Sequence, residues 1–220
     1  MAGIFGLGFA TTYPMNIASR YLHLTSKYRP KDTALREEAW QGIMRNYQSI
    51  FRRYHNLDHI SDMLTKLQGI SEFIHHPMDT ELAIIYHDVV YDPVMSDNEE
   101  QSADRARADL SSFGFPVDRL DRIAACILAT KDHRHAESQD VNYLLDLDLS
   151  IWGQTPEVYR AYCKKIREEY IMFPDAVYRR GRRKILQNFL DRDVLYHTHY
   201  FRSRLETRAR INIENELRLL

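Results

Sequence analysis

"ELAIIYHDVVYD", Glu81 to Asp92, is apolar on every side of one polar pair. Leu82, Ala83, Ile84 and Ile85 precede His87-Asp88, and Val89 and Val90 follow it. The run holds no glycine or proline and falls well short of the roughly 20 apolar residues that a spanning helix needs. It predicts a buried helix over Thr80–Val90. A His-Asp dipeptide by itself carries no information, because chance supplies roughly one in a chain of this length. Its setting does. Burying an ionised carboxylate costs several kcal/mol unless it is paired or bound to metal. Asp88 therefore calls for an arginine partner, or for a metal ion shared with His87.

The pattern on either side is helical. Glycine and proline number 8 and 7 in 220 residues and fall mostly between periodic segments. Leu35, Ala39, Ile43 and Tyr47 mark one face of a helix over 34–51, and Ile60, Met63, Leu64, Leu67 and Ile70 mark another over 58–74. "SDNEEQSA" opens a helix at Ser96 or Asp97 that runs to about Gly114. Pro116 and Asp118 open the next, to about Lys131. Asn142 to Ile151 is a short buried helix or a strand. Thr155-Pro156-Glu157 starts a further helix, and the segments 175–190 and 201–219 complete the chain. The expectation is an all-α fold: a short N-terminal extension over 1–16, then one helical domain over 17–220.

Two more segments carry chemistry. In "YHNLDHI", Tyr54 to Ile60, the histidines are four apart and could share a helix face. No glutamate follows the first, and Arg52-Arg53 and Asn56 look like the approach to a helix. The pair therefore divides its labour: His59 inside the helix as a metal ligand, His55 at the entrance as a proton donor. In "LLDLDLSIWG", Leu144 to Gly153, Asp146 and Asp148 lie among leucines. One of them is a fourth ligand; the other is exposed or caps.

The order His59, His87-Asp88, Asp148 resembles the HD-domain metal-dependent phosphohydrolase superfamily. "RYHNLDHI", "IIYHDVVYD", "SDNEEQSA", "ILATKDH" and "LDLDLS" are similar to the blocks of a bacterial family of predicted HD-superfamily phosphohydrolases, over residues 20–217. A more distant likeness is to cyclic-nucleotide phosphodiesterases. Their "YHNxxHA" segment implies His55 as general acid and His59 as ligand, and their "ADLS" block selects Asp148 over Asp146. The glutamine-bearing nucleotide clamp of those enzymes has no counterpart here. The resemblance implies an HD-type helical bundle around a central metal site, and a phosphomonoesterase or phosphodiesterase. Its divalent ion (Mn, Fe, Co, Ni, Zn or Mg) would be held by His59, His87, Asp88 and Asp148. Two imidazoles and two carboxylates leave a coordination position open for water, as catalysis requires.

Lys131 and His133 in "TKDHRH" are expected near the substrate phosphate, unless they only complement a helix C-terminus. Tyr178 and Arg182 in "YRRGRRK" face an anionic substrate or a solvated helix surface. Asp92 is a candidate for supporting the ligands or for a second metal. A di-iron oxygenase would need two further well-separated histidines before the last aspartate, whereas His133 and His135 lie two apart. A non-catalytic metal- or nucleotide-binding module is the remaining alternative. The net charge of -1 and pI near 6.8 argue against a stable nucleic-acid complex. Two cysteines, Cys126 and Cys163, and the lack of a basic leader point to a reduced cytoplasm. The expected partner is a small phosphate ester or nucleotide, with no membrane; a homodimer is compatible with the sequence.

Overall fold

The computed structural model describes residues 16–29 and 31–220, so all but Asn16 of the expected N-terminal extension lies outside it. Among the described residues there is no strand. The helices are α1 (Ile17–Thr25), α2 (Thr33–Tyr47), α3 (Leu57–Gln68), α4 (Pro77–Tyr86), α5 (Asn98–Ser112), α6 (Val117–Ala129), α7 (Gln139–Asp148), α8 (Pro156–Glu169), α9 (Asp175–Leu190) and α10 (His199–Leu219). Short 3-10 turns cover Ser71–Phe73 and Leu149–Gly153. One core cluster draws buried side chains from all ten helices, from Ile17 in α1 to Ile213 in α10. No described helix is long and apolar enough to cross a membrane.

α4 sits in the middle. It packs against α1, α3, α5, α6 and α7. Leu82, Ala83, Ile84, Ile85 and Tyr86 are all fully buried, as a helix that is apolar all round must be. Its end corrects the expected helix over 80–90. α4 stops at Tyr86, with His87 as its C-cap and Asp88 in the turn beyond. The reason is tertiary. The carbonyls that a helix end leaves unpaired are taken by other donors. The Tyr47 hydroxyl donates to Ile85 O at 3.0 Å, and Arg52 donates to Asp88 O at 2.5 Å and to Val89 O at 3.0 Å. The arginine thus reaches Asp88, but at its backbone carbonyl, with no hydrogen bond to its carboxylate. A buried backbone anchored in this way ends the helix where the sequence would let it continue.

Two further ends differ from expectation. α2 stops at Tyr47, and Ile50 and Phe51 are exposed. α3 stops at Gln68 before Gly69. The segment 142–151 is helical, within α7 and the turn after it. Gly114 adopts φ +82 directly after α5, a conformation that a Cβ would strain. At Gly153 a Cβ would lie 2.5 Å from Leu205 Cβ, so the glycine lets the 149–153 turn press against α10.

Candidate metal and proton-transfer site

Three helix ends meet at one spot: the first turn of α3, the C-cap of α4 and the last residue of α7. They bring ligand atoms of His59, His87 and Asp148 within 4.8 Å of one another. His59 Nε2 is 3.1 Å from Asp148 Oδ1. His87 Nε2 lies 3.1 Å from Asp88 Oδ2 and 3.8 Å from Asp148 Oδ1, so both carboxylates face the same imidazole nitrogen. Despite these distances, neither His59 Nε2 nor His87 Nε2 has a hydrogen-bond partner among the described residues, and both are buried. The other ring nitrogen of His87, Nδ1, is 2.9 Å from the Ile84 carbonyl. An Nδ1–H donor there leaves the lone pair on Nε2, the tautomer a metal-ligating histidine needs.

Without an ion the electrostatics favour a protonated His87, so metal binding would have to displace a proton from Nε2. Burial alone would raise Asp88 and Asp148, but the imidazoles hold both below the ordinary carboxylate range: His87 acts on Asp88, and His133 with His59 on Asp148. Burial pulls His87 down, yet the charge of Asp88 and then Asp148 lifts it to about 9. The two carboxylates draw positive charge to this point. His59, His87 and Asp148 form a mixed N/O group that could hold a metal ion; Asp88 lies outside that group and faces it through His87 Nε2.

Asp146 is separated from this group. It is fully buried and accepts from His197 N (2.8 Å), Thr198 N (2.7 Å) and Thr198 Oγ1 (2.6 Å), tying α7 to the start of α10. His133 joins Asp148 instead, with Nε2 2.9 Å from Oδ2. Its backbone is left-handed, φ 47. Arg192 Nη1 holds its carbonyl at 2.6 Å, and His197 Nε2 lies 3.1 Å from the same oxygen. A left-handed non-glycine residue fixed from two sides is a recurrent feature of functional sites.

His55 directly precedes Asn56, whose side chain caps α3 by accepting from Asp58 N at 2.9 Å. Its Nδ1 lies 2.6 Å from Glu169 Oε2. Glu169, at the end of α8, is buried. Its Oε1 accepts the backbone N–H groups of Arg53, Tyr54 and His55 at 2.8–2.9 Å, and its Oε2 accepts the Tyr91 hydroxyl at 3.0 Å. Burial opposes both charges, but the pairing raises His55 and lowers Glu169 to about 2. Tyr91 also packs against the His55 ring, with centroids 4.4 Å apart and the planes tilted by 30°. The sequence reading did not single out Glu169. A signal existed: it continues the buried stripe of Tyr159, Tyr162 and Ile166 along α8, a carboxylate in an apolar row.

His55 lies between two cavities. One, of about 420 Å³, is lined by His133, Asp148, Lys131, Asp132 and Arg192 among others. The second, of about 340 Å³, is walled mainly by Tyr91, Tyr162, Tyr170, Phe173 and Tyr178. Lys131, Arg182 and Asp92 have other partners than expected, whereas Tyr178 lines a cavity. Lys131 lines the first cavity, but its amine is paired with Glu100 and donates to Ser96 O at 2.8 Å. Arg182 lines the second, but its guanidinium is buried against Glu216, at 2.8 and 3.1 Å, so it locks α9 to α10 and is not available to an anion. Tyr178 belongs to the aromatic wall, beneath Arg167 at 4.8 Å. Asp92 is exposed and outside the cluster. Its Oδ1 accepts Val94 N at 2.9 Å, which stabilises the turn before α5 and leaves it no place among the ligands.

Comparison of the chain with protein-family models, with curated proteins and with solved structures finds no match.

Proposed function

We propose that this chain is a metal-dependent phosphohydrolase of the HD type acting on a small phosphate ester or nucleotide. The supporting observation is the convergence of two buried imidazole nitrogens, each without a hydrogen-bond partner, on two carboxylates beside a histidine–glutamate pair. His59, His87, Asp88 and Asp148 would hold the ion. A divalent ion at that point acidifies water towards neutrality and offsets the charge of the phosphoryl oxygens. The remaining work falls to the chain itself. His55 lines both cavities, and its Nε2 would carry the proton for the departing oxygen. Glu169 fixes the ring through Nδ1 and stabilises its protonated form. His133 holds Asp148 from behind, so that the carboxylate keeps one orientation. Location in the cytoplasm fits this reading and the two unpaired thiols, Cys126 and Cys163.

The test is metal analysis with turnover. Protein loaded with Mn or Ni is assayed against a panel of phosphomonoesters and phosphodiesters. His55→Ala is expected to keep its metal and lose turnover by about 10²-fold or more. Metal bound with no turnover on any ester would favour a binding module.

A further inference from the structure

α9 carries a glycine that its packing does not require. Gly181 sits mid-helix in "YRRGRRK", and a Cβ built there meets nothing within 4 Å among the described residues. Glycine is the poorest helix former after proline, so alanine would serve the helix better. The space over Gly181 belongs to the aromatic cavity. Val177, Gly181 and Ile185 follow one another at i, i+4 and i+8 along its rim. Val177 and Ile185 are 50% and 47% exposed, so the rim is apolar and open. The cavity offers no free cation among the described residues: Arg182 is spent on Glu216, and His55 is the other ionisable base in the wall. The neighbouring cavity holds Asp148, His133 and Arg192. His55, Tyr162 and Ile185 line both.

We infer that the cavity over Gly181 receives the leaving group of the substrate, and that this group is an uncharged, planar or aromatic alcohol, while the phosphate lies in the neighbouring cavity. The inference rests on the phosphoester reading above. In the step it serves, a water oxygen forms the new P–O bond and the ester P–O bond breaks. His55 Nε2 gives its proton to the departing alkoxide, and the attacking water supplies the proton that restores it. The aromatic wall then holds the neutral alcohol beside the group that has just protonated it. The rings of Tyr91 and Tyr170 in the wall of this cavity suit contact with a flat group.

Two measurements test it. The first is the ratio of kcat/KM for benzyl phosphate to that for ethyl phosphate, whose alcohols differ little in acidity. The wild type is expected to favour the benzyl ester by about tenfold or more, and Gly181→Leu to bring the ratio towards one. The second uses protein treated with chelator and follows the fluorescence of added 2-naphthol. Binding is expected in the wild type and lost in Gly181→Leu. Leucine suits a helix and finds open space here, and Gly181→Ala provides a milder step on the same axis. Naphthol binding lost in Gly181→Leu, with no ester turned over by the wild type, would support the pocket and sink the reaction. Turnover with a ratio unmoved by Gly181→Leu, or naphthol binding unaffected by it, would overturn the pocket.

Discussion

Glu169 Oε2 and His55 Nδ1 lie 2.6 Å apart, although 114 residues separate them in the chain. The carboxylate is completely shielded and is ringed by three backbone N–H groups, a tyrosine hydroxyl and the imidazole. This pairing decides how His55 titrates. With His55 as proton donor, activity falls as pH rises through its raised pKa. Glu169→Gln removes the charge that raises it. The fall should move to lower pH, and kcat should drop about 10- to 100-fold with metal content unchanged. A pH–rate profile of the variant against the wild type checks this.

The same pair predicts an acid limb of stability. Burial opposes the Glu169 charge, but His55 and the backbone donors hold it at about 2 against an ordinary 4.5. A lowered carboxylate pKa stabilises the fold above the unfolded value and is lost as pH falls through the folded one. Wild-type stability should therefore decline between about pH 4.5 and 2, by about 3 kcal/mol from this group. Glu169→Gln should flatten that segment of a urea-denaturation series.

Asp146 and Asp148 should separate cleanly on mutation. Asp146→Ala strips three hydrogen bonds from a buried junction and should cost about 2–4 kcal/mol. Asp148→Ala should lower metal content far more than it lowers Tm. Paired thermal melts and metal analysis distinguish the two. The sequence placed both acids among leucines, and the resemblance selected Asp148. What it did not hold was the partner of Asp146, because Thr198 lies 52 residues away.

That example is general for this chain. Helical periodicity and scarce glycine and proline made most helices readable, and α9 runs over the expected 175–190. The end of α4 was not readable, because Arg52 and Tyr47 set it from outside the helix. Lys131 and Arg182 looked like anion binders, because their acidic partners, Glu100 and Glu216, lie 31 and 34 residues away. Basic residues in a local run show charge; only the fold shows whether that charge is already used.

His133 offers a backbone test. Its left-handed conformation costs about 1 kcal/mol that glycine would not incur. His133→Gly should be more stable than His133→Ala by about that amount. Both should weaken metal affinity about 10- to 100-fold, since Asp148 loses the ring that orients it. Denaturant midpoints and metal titrations of the two variants provide the comparison.

Gly181→Ala should raise stability by about 0.5–1 kcal/mol, because the new methyl group meets no neighbour and suits the helix. A chemical-denaturation curve is sufficient. Loss of stability would mean that the space over Gly181 is needed by the fold.

The most direct measurement is titration of chelator-treated protein with Mn²⁺, followed by the electron paramagnetic resonance of the free ion. One ion per chain should be taken up by the wild type, and uptake should be lost in both His59→Ala and Asp148→Ala. Uptake undiminished in those variants, or none in the wild type, would contradict the claim that these side chains converge on one cation.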